Sequence, residues 1–419
     1  MGNFMKKFAL HTTTVAVFLA SNAVIASPFI DDAKVNADLR LRYENVDMDN
    51  TKVDADAVTA RARLGITSGV FNGLSAGVEG EATAEINDKF NSTRNGQGDY
   101  NTVVDPESYE LNKLWLKYQF PVDGFLKGSD ITIGRQAINL DNQRFVGGVA
   151  WRQNEQTYDA ASLNLKFTPN FALYYAYIDQ VNTIFGSEDA TPIANNAAQP
   201  SEVDSESHLV QLRYIAGEAF NAVAYGYLLD LQDWSADTLS SQTIGVRIHG
   251  KIPSLPLRYV AEYATQQDYA DNPIDYEADY YNVELAYLLP ASVVKGEIAT
   301  GYEVLGSDEG VRGFQTPLGT KHKFNGWNDL FLNTPADGLA DSYLSFKVNP
   351  IEKVSLGGEY HYYTTDENSR YLGQEYGLVL SSALPLEGTS VLTKWSNFES
   401  EDASLVDTRK VWVQMEYKY

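Results

Sequence analysis

From Lys34 to Tyr419 the chain alternates apolar and polar side chains with a period of two. In its first segment Val35, Ala37, Leu39, Leu41 and Tyr43 oppose Asn36, Asp38, Arg40, Arg42 and Glu44. The next sets Val58, Ala60, Ala62, Leu64 and Ile66 against Thr59, Arg61, Arg63 and Gly65. A third places Leu74, Ala76, Val78, Ala82, Ala84 and Ile86 opposite Ser75, Glu79, Glu81, Thr83 and Glu85. Successive side chains of a strand point to opposite faces, so each segment reads as a strand with one apolar face. Fifteen more follow, near 109–120, 130–138, 157–168, 171–179, 207–216, 220–230, 242–252, 256–267, 279–289, 292–304, 339–348, 354–364, 374–384, 389–398 and 408–419. The total is about eighteen, each near the length that a tilted strand needs to cross a bilayer.

The connections alternate as well. Short polar turns are followed by long polar loops, the longest at 87–108, 139–156, 180–206 and 305–338. Outer-membrane barrels have this asymmetry, with turns on the periplasmic side and loops outside. The chain ends within a strand, where Val411, Val413, Met415, Tyr417 and Tyr419 alternate with Trp412, Gln414, Glu416 and Lys418. That ending resembles the terminal signal that barrel proteins present to their assembly machinery. The fold expected is all-β, one antiparallel transmembrane β-barrel over residues 27–419. Lys6 and Lys7, the apolar run after them and Val24-Ile25-Ala26 read as a signal peptide over residues 1–26.

Lipid leaves no backbone group unpaired, so such a sheet must close with its apolar side outward. Tyr43, Tyr118, Tyr287, Tyr302, Tyr360, Tyr362 and Tyr417 fall near strand ends on that side, as girdle residues do. The inward side holds Arg40, Arg42, Arg61, Arg63, Arg247, Arg258, Lys295 and Lys394, with Glu79, Glu81, Glu85, Glu262, Glu284, Glu297 and Glu359 among them. The net charge is −24, which excludes a nucleic-acid footprint. Much of the excess is expected on the rim, at Asp47, Asp49, Asp54, Asp56, Glu188, Asp189, Glu202, Asp204 and Glu206.

No cysteine occurs, so disulfides, thiolate metal sites and cysteine nucleophiles are excluded. Past the leader only His208, His249, His322 and His361 remain, without metal-ligand spacing. The run Asp47-Met48-Asp49-Asn50-Thr51 begins like a calcium loop but lacks its glycine and terminal acid. No cofactor, metal or catalytic constellation is therefore expected.

Two loops stand apart from the rest. Residues 134–159 set Arg135, Arg144 and Arg152 among Phe145, Trp151, Tyr158 and the amides Gln136, Gln143, Gln153, Asn154 and Gln156. Guanidinium groups held by amides suit carboxylate recognition, although Asp141, Glu155 and Asp159 could pair with them locally. Residues 313–342 carry Phe314, Phe324, Trp327, Leu330 and Phe331 around Lys321-His322-Lys323. A loop this apolar folds back onto something, as a constriction or as a structural plug.

Gly134-Arg135-Gln136, Arg144-Phe145-Val146-Gly147, Trp151-Arg152-Gln153 and Tyr158-Asp159-Ala160 resemble a signature of the alginate export family. Phe314-Gln315-Thr316-Pro317, His322-Lys323-Phe324-Asn325-Gly326-Trp327 and Thr334-Pro335-Ala336-Asp337-Gly338-Leu339 resemble its second. The resemblance implies a monomeric outer-membrane barrel that passes an anionic polysaccharide or oligosaccharide, alginate in the founding member. It also implies a constriction at Arg135, Arg144, Arg152 and Asp159, with Lys321, His322 and Lys323 joining it. Arg61, Arg63 and Lys394 join that candidate pore lining by inward parity. The alternative is a general diffusion porin for small neutral, hydrophobic or cationic solutes, toward which the lumenal glutamates point.

Overall fold

The computed structural model describes residues 28–121, 124, 126–187, 199–290 and 292–419. The leader at 1–26 and the rim acids Glu188 and Asp189 lie outside the described residues. After one helical turn, Pro28–Asp31, the strands begin with β1 (Lys34–Met48), β2 (Ala55–Thr67), β3 (Leu74–Glu85), β4 (Ser108–Gln119), β5 (Asp130–Gln136) and β6 (Thr157–Thr168). Next come β7 (Phe171–Asn182), β8 (Glu202–Ile215), β9 (Asn221–Leu229), β10 (Ser241–Lys251), β11 (Leu257–Asp268), β12 (Glu277–Leu289) and β13 (Lys295–Leu305). A two-residue hairpin, β14 (Ser307–Asp308) and β15 (Arg312–Gly313), lies in the loop that follows. The last are β16 (Leu339–Ile351), β17 (Val354–Thr364), β18 (Tyr371–Ala383), β19 (Thr389–Ser400) and β20 (Thr408–Lys418).

Eighteen strands form one antiparallel sheet in sequence order, and β1 pairs with both β2 and β20, so the sheet closes. The alternation decides which face is outside. Leu39, Leu41, Leu64, Leu114, Ile133, Val283, Leu344, Leu378 and Met415 are exposed on the outer face, while Arg42, Thr59, Glu81 and Trp412 are buried on the inner one. Tyr43, Tyr287, Tyr302, Tyr360 and Tyr362 are exposed near strand ends, and Tyr118 and Tyr417 partly so. The Tyr43 hydroxyl donates to Asp56 at 2.6 Å and that of Tyr360 to Gln374 at 2.8 Å. Each ring thus lies against lipid with its hydroxyl on a polar partner.

Several strands outrun the sequence pattern, β1 and β8 by the most. β1 continues to Met48, and β8 begins at Glu202, so Glu202, Asp204 and Glu206 stand on a strand rather than a loop. Above the membrane a strand needs only a paired backbone, and the register runs on there through Glu202↔Asn182 and Asp204↔Gln180. β5 is the shortest of the eighteen at seven residues, because after Gln136 the chain leaves the wall and enters the lumen.

Candidate functional site

Two loops fill the outer half of the barrel, 137–156 between β5 and β6 and 306–338 between β13 and β16. They are bonded to one another through backbone groups: Gly147 N–H donates to Leu318 O at 2.9 Å, and Thr320 N–H to Gln143 O at 3.0 Å. Glycine makes this approach possible. A Cβ on Gly319 would lie 2.4 Å from Arg144 O, and one on Gly147 would lie 2.3 Å from the Thr320 hydroxyl. On one side the pair rests on aromatic rings. Phe145 packs at 5.2–5.9 Å, centroid to centroid, on Tyr225 of β9, Tyr280 of β12 and Phe314.

On the other side the loops meet the arginines of β1. Arg42 donates to Trp151 O at 2.6 Å, and Arg40 to the carbonyls of Ala150, Trp151 and Arg152 at 3.2–3.3 Å. These wall arginines hold backbone of the 137–156 loop. Trp151 stacks on His322 of the second loop, with ring centroids 4.3 Å apart and planes 7° from parallel. Lys394 of β19 donates to His322 Nε2 at 2.8 Å, and its ammonium lies 3.9 Å from the Trp327 centroid and 4.3 Å from that of Trp151. A cation over ring faces is attracted by their quadrupoles. Lys394, Trp151 and His322 therefore pin both loops to the wall.

The candidate residues separate into three places. Arg152 lies in the lumen against Glu44 of β1 at 3.2 Å, Asp105 at 3.7 Å and Asp329 at 3.6 Å. Burial opposes its charge, yet Glu44, Asp105 and Asp329 outweigh that and raise its pKa. Arg144 is buried against Glu303 of β13 at 2.8 Å and donates to Asn325 at 2.8 Å, tying one loop to the other. His322 is lowered to about 3 by burial, and is neutral at ordinary pH. That fixes its tautomer, since Nε2 accepts from Lys394 and the Nδ1 proton goes to Asp329 at 2.7 Å. Lys321 is half-buried beside Asn333, and burial with Arg144 nearby brings it down to about 8. Lys323 is exposed and donates to Asn142 O at 2.9 Å.

Arg61 and Arg63 stand lower on the inner wall. Arg61 pairs with Asp38 at 2.6 Å and Glu416 at 3.3 Å, while Arg63 is ion-paired to Glu81 and lies 3.4 Å from Glu155. Arg135 and Asp159 occupy a third place. They are opposite one another on β5 and β6 and form a two-pronged pair at 2.7 and 2.8 Å. Arg135 shares the parity of the exposed Ile133 and faces the exposed Leu114 on β4, so this pair stands on the outer face. The alternation that put Arg61 inside puts Arg135 outside, and the lumenal cluster is built without it.

Above the loops lies a cavity of about 730 Å³. Among the described residues its charged lining is Lys52, Arg152, Arg312, Lys321 and Lys410, with Asp329 the one carboxylate, in a chain of net charge −24. Among the described residues no carboxylate lies within ion-pair distance of Lys321 or Arg312. The remaining lining includes an apolar wall of Ile184, Phe185, Trp234, Leu239, Leu330 and Leu332. The sequence reading missed Asp329, Lys410, Arg312, Glu44 and Asp105 as parts of this site. Lys410 was within reach, since it shares the inward parity of Trp412, and Asp329 follows Gly326-Trp327 of the second signature by two residues. Glu44 was already on the polar side of the first strand. Nothing local marks Asp105 or Arg312.

A closed barrel with a lipid-facing exterior and a charged lumen holding inward loops is an outer-membrane channel. The alginate export family pattern matches residues 32–385, and the chain belongs to that family. Among solved structures, OpdK of Pseudomonas aeruginosa with vanillate is similar in fold, with a TM-score of 0.69 at 14% identity over 93% of this chain and 99% of that one. OccAB4 of Acinetobacter baumannii superposes with a TM-score of 0.67 at 15% identity, over 92% and 98%. No curated protein matches the chain.

Proposed function

We propose that the channel passively and selectively passes an anionic oligosaccharide or polysaccharide of the uronate class. The observation that carries this reading is the sign of the outer cavity, where, among the described residues, five cationic side chains face one carboxylate. Uronate carboxylates would step between Lys321, Arg312, Lys410 and Arg152. Lys321 and Arg312 are partly exposed, so contacts with them are partly hydrated and weak enough to release, as conduction requires. Membership in the alginate export family supports the substrate class. The barrel would act as a monomer in outer-membrane lipid, delivered by assembly machinery that takes β20 and Tyr419. No catalytic step forms part of this reading.

Planar-bilayer recordings in a salt gradient test it. The expected result is a reversal potential on the anion side, with current block by oligouronates. Cation preference without block would overturn it. A second reading, a porin for small hydrophobic or neutral solutes, draws on the apolar cavity wall. Liposome swelling with neutral and anionic sugars of equal size separates the two.

A further inference from the structure

Asp329 lines the cavity beside Arg152, Lys410 and His322. It accepts from His322 at 2.7 Å and lies 3.4 Å from Lys410 of β20 and 3.6 Å from Arg152. Burial works against its charge, but the charges of Lys410 and Arg152, with the hydrogen bond from neutral His322, more than offset this and hold its carboxyl well below the ordinary range. Its backbone is left-handed, with φ of 60°, a conformation Asp tolerates better than most residues but one that a packed site must hold in place. The neighbouring side chain is more unusual. Asn328 is buried to 1% exposure and lines the cavity, yet neither its amide nitrogen nor its amide oxygen has a hydrogen-bond partner. Its backbone N–H is held by Glu375 of β18 at 3.0 Å. A buried amide with both halves unpaired costs stability, and a ligand with a donor and an acceptor would satisfy it.

We propose that Asp329 is an internal stand-in for the carboxylate of the permeating solute. An incoming carboxylate replaces it against Arg152 and Lys410, while hydroxyls beside that carboxylate pair with the Asn328 amide. The inference rests on the anionic-solute reading and names its subsite. Exchanging one carboxylate for another leaves the charge of the site nearly unchanged, so Arg152 and Lys410 attract the solute without trapping it. When the solute leaves, Asp329 returns and the cations are never left unpaired. Lys394 stays on His322 Nε2 throughout, because that contact uses the other ring nitrogen. The amide gives the site a preference for hydroxylated carboxylates over chloride, which can accept from the amide nitrogen but has no hydroxyl to donate to the amide oxygen.

The test measures block of single-channel current by glucuronate in the full barrel, for the native protein and two variants. Asp329→Asn removes the competing charge at nearly constant shape, and should tighten glucuronate block roughly tenfold, the worth of one charge-assisted hydrogen bond. Asn328→Asp adds a second internal carboxylate and should weaken block by a similar factor. If Asp329→Asn shifts the reversal potential toward anions but leaves block unchanged, Asp329 is a counter-charge only and the proposal is overturned. Unchanged block in Asn328→Asp overturns it independently, should the first variant fail to assemble. A native channel that prefers cations and ignores glucuronate removes the anionic reading itself, and this inference with it.

Discussion

Arg152 and Lys321 both line the outer cavity, but the structure gives them different work. Arg152 neutralises Glu44 and Asp105, two carboxylates with almost no exposure, whereas Lys321 faces the cavity with an amide as its partner. Removing one member of a buried ion pair typically costs about 3–5 kcal/mol, because the partner charge stays buried. Arg152→Ala should therefore lower the temperature at which the folded barrel loses its compact migration on detergent gels. Lys321→Ala should leave that temperature unchanged and reduce anion preference in bilayers. His322 adds a pH dependence with a definite sign. The released loop takes up its proton near 6.5, the seated loop only near 3. The contribution of His322 to seating is thus fully present above pH 6.5 and is lost as pH falls toward 3. Current fluctuations from loop motion should grow between pH 7 and 4, and His322→Gln should flatten that growth.

At the scale of elements, the two lumenal loops behave as one body because their backbones bond directly and Trp151 stacks on His322. The contact depends on an absent side chain. Gly319→Ala would push a methyl group against Arg144 O, and neither backbone can yield without breaking the Gly147–Leu318 bond. The barrel should still close, since each strand keeps both neighbours, but the loops should separate. Larger single-channel conductance with unchanged heat stability of the barrel is the expected result. Conductance equal to that of the native channel would mean that the loops do not set the pore width. The strands themselves follow from pattern: an apolar residue at every second position needs only lipid on one side and polar contacts on the other.

For the whole molecule, the acidic total and the basic cavity are compatible because charge is sorted by place. Carboxylates crowd the rim at Asp47, Asp54 and Asp56, and the cations gather where the loops narrow the lumen. Fields from an exposed rim are screened over about 10 Å at 0.1 M salt and about 3 Å at 1 M, while partly buried charges are screened less. Anion preference should consequently increase from low to moderate salt, as the repelling rim fades before the cavity does. Reversal potentials at a fixed gradient and rising ionic strength would measure it, and a monotonic fall would contradict this sorting.

The barrel was legible in the sequence because strand alternation is a local property: each segment declares its two faces without reference to any other. The same rule located Arg61, Arg63 and Lys394 on the inner wall and the tyrosines on the outer face. The family signatures marked the two loops, yet they could not assign each arginine in them a side. Arg135 shares a motif with Gln136 but belongs to the last turn of a strand, where one step of register separates lipid from lumen. Pairing across the lumen was invisible for another reason. Arg152 reaches Glu44 over 108 positions and Lys394 reaches His322 over 72, and such contacts exist only once the sheet has closed around the loops. Sequence alone determined a closed barrel with a charged interior. The tertiary structure decided which charges meet, leaving Lys321 and Arg312 without carboxylate partners among the described residues and Asp329 among the cations, because only closure brings distant side chains within bonding distance.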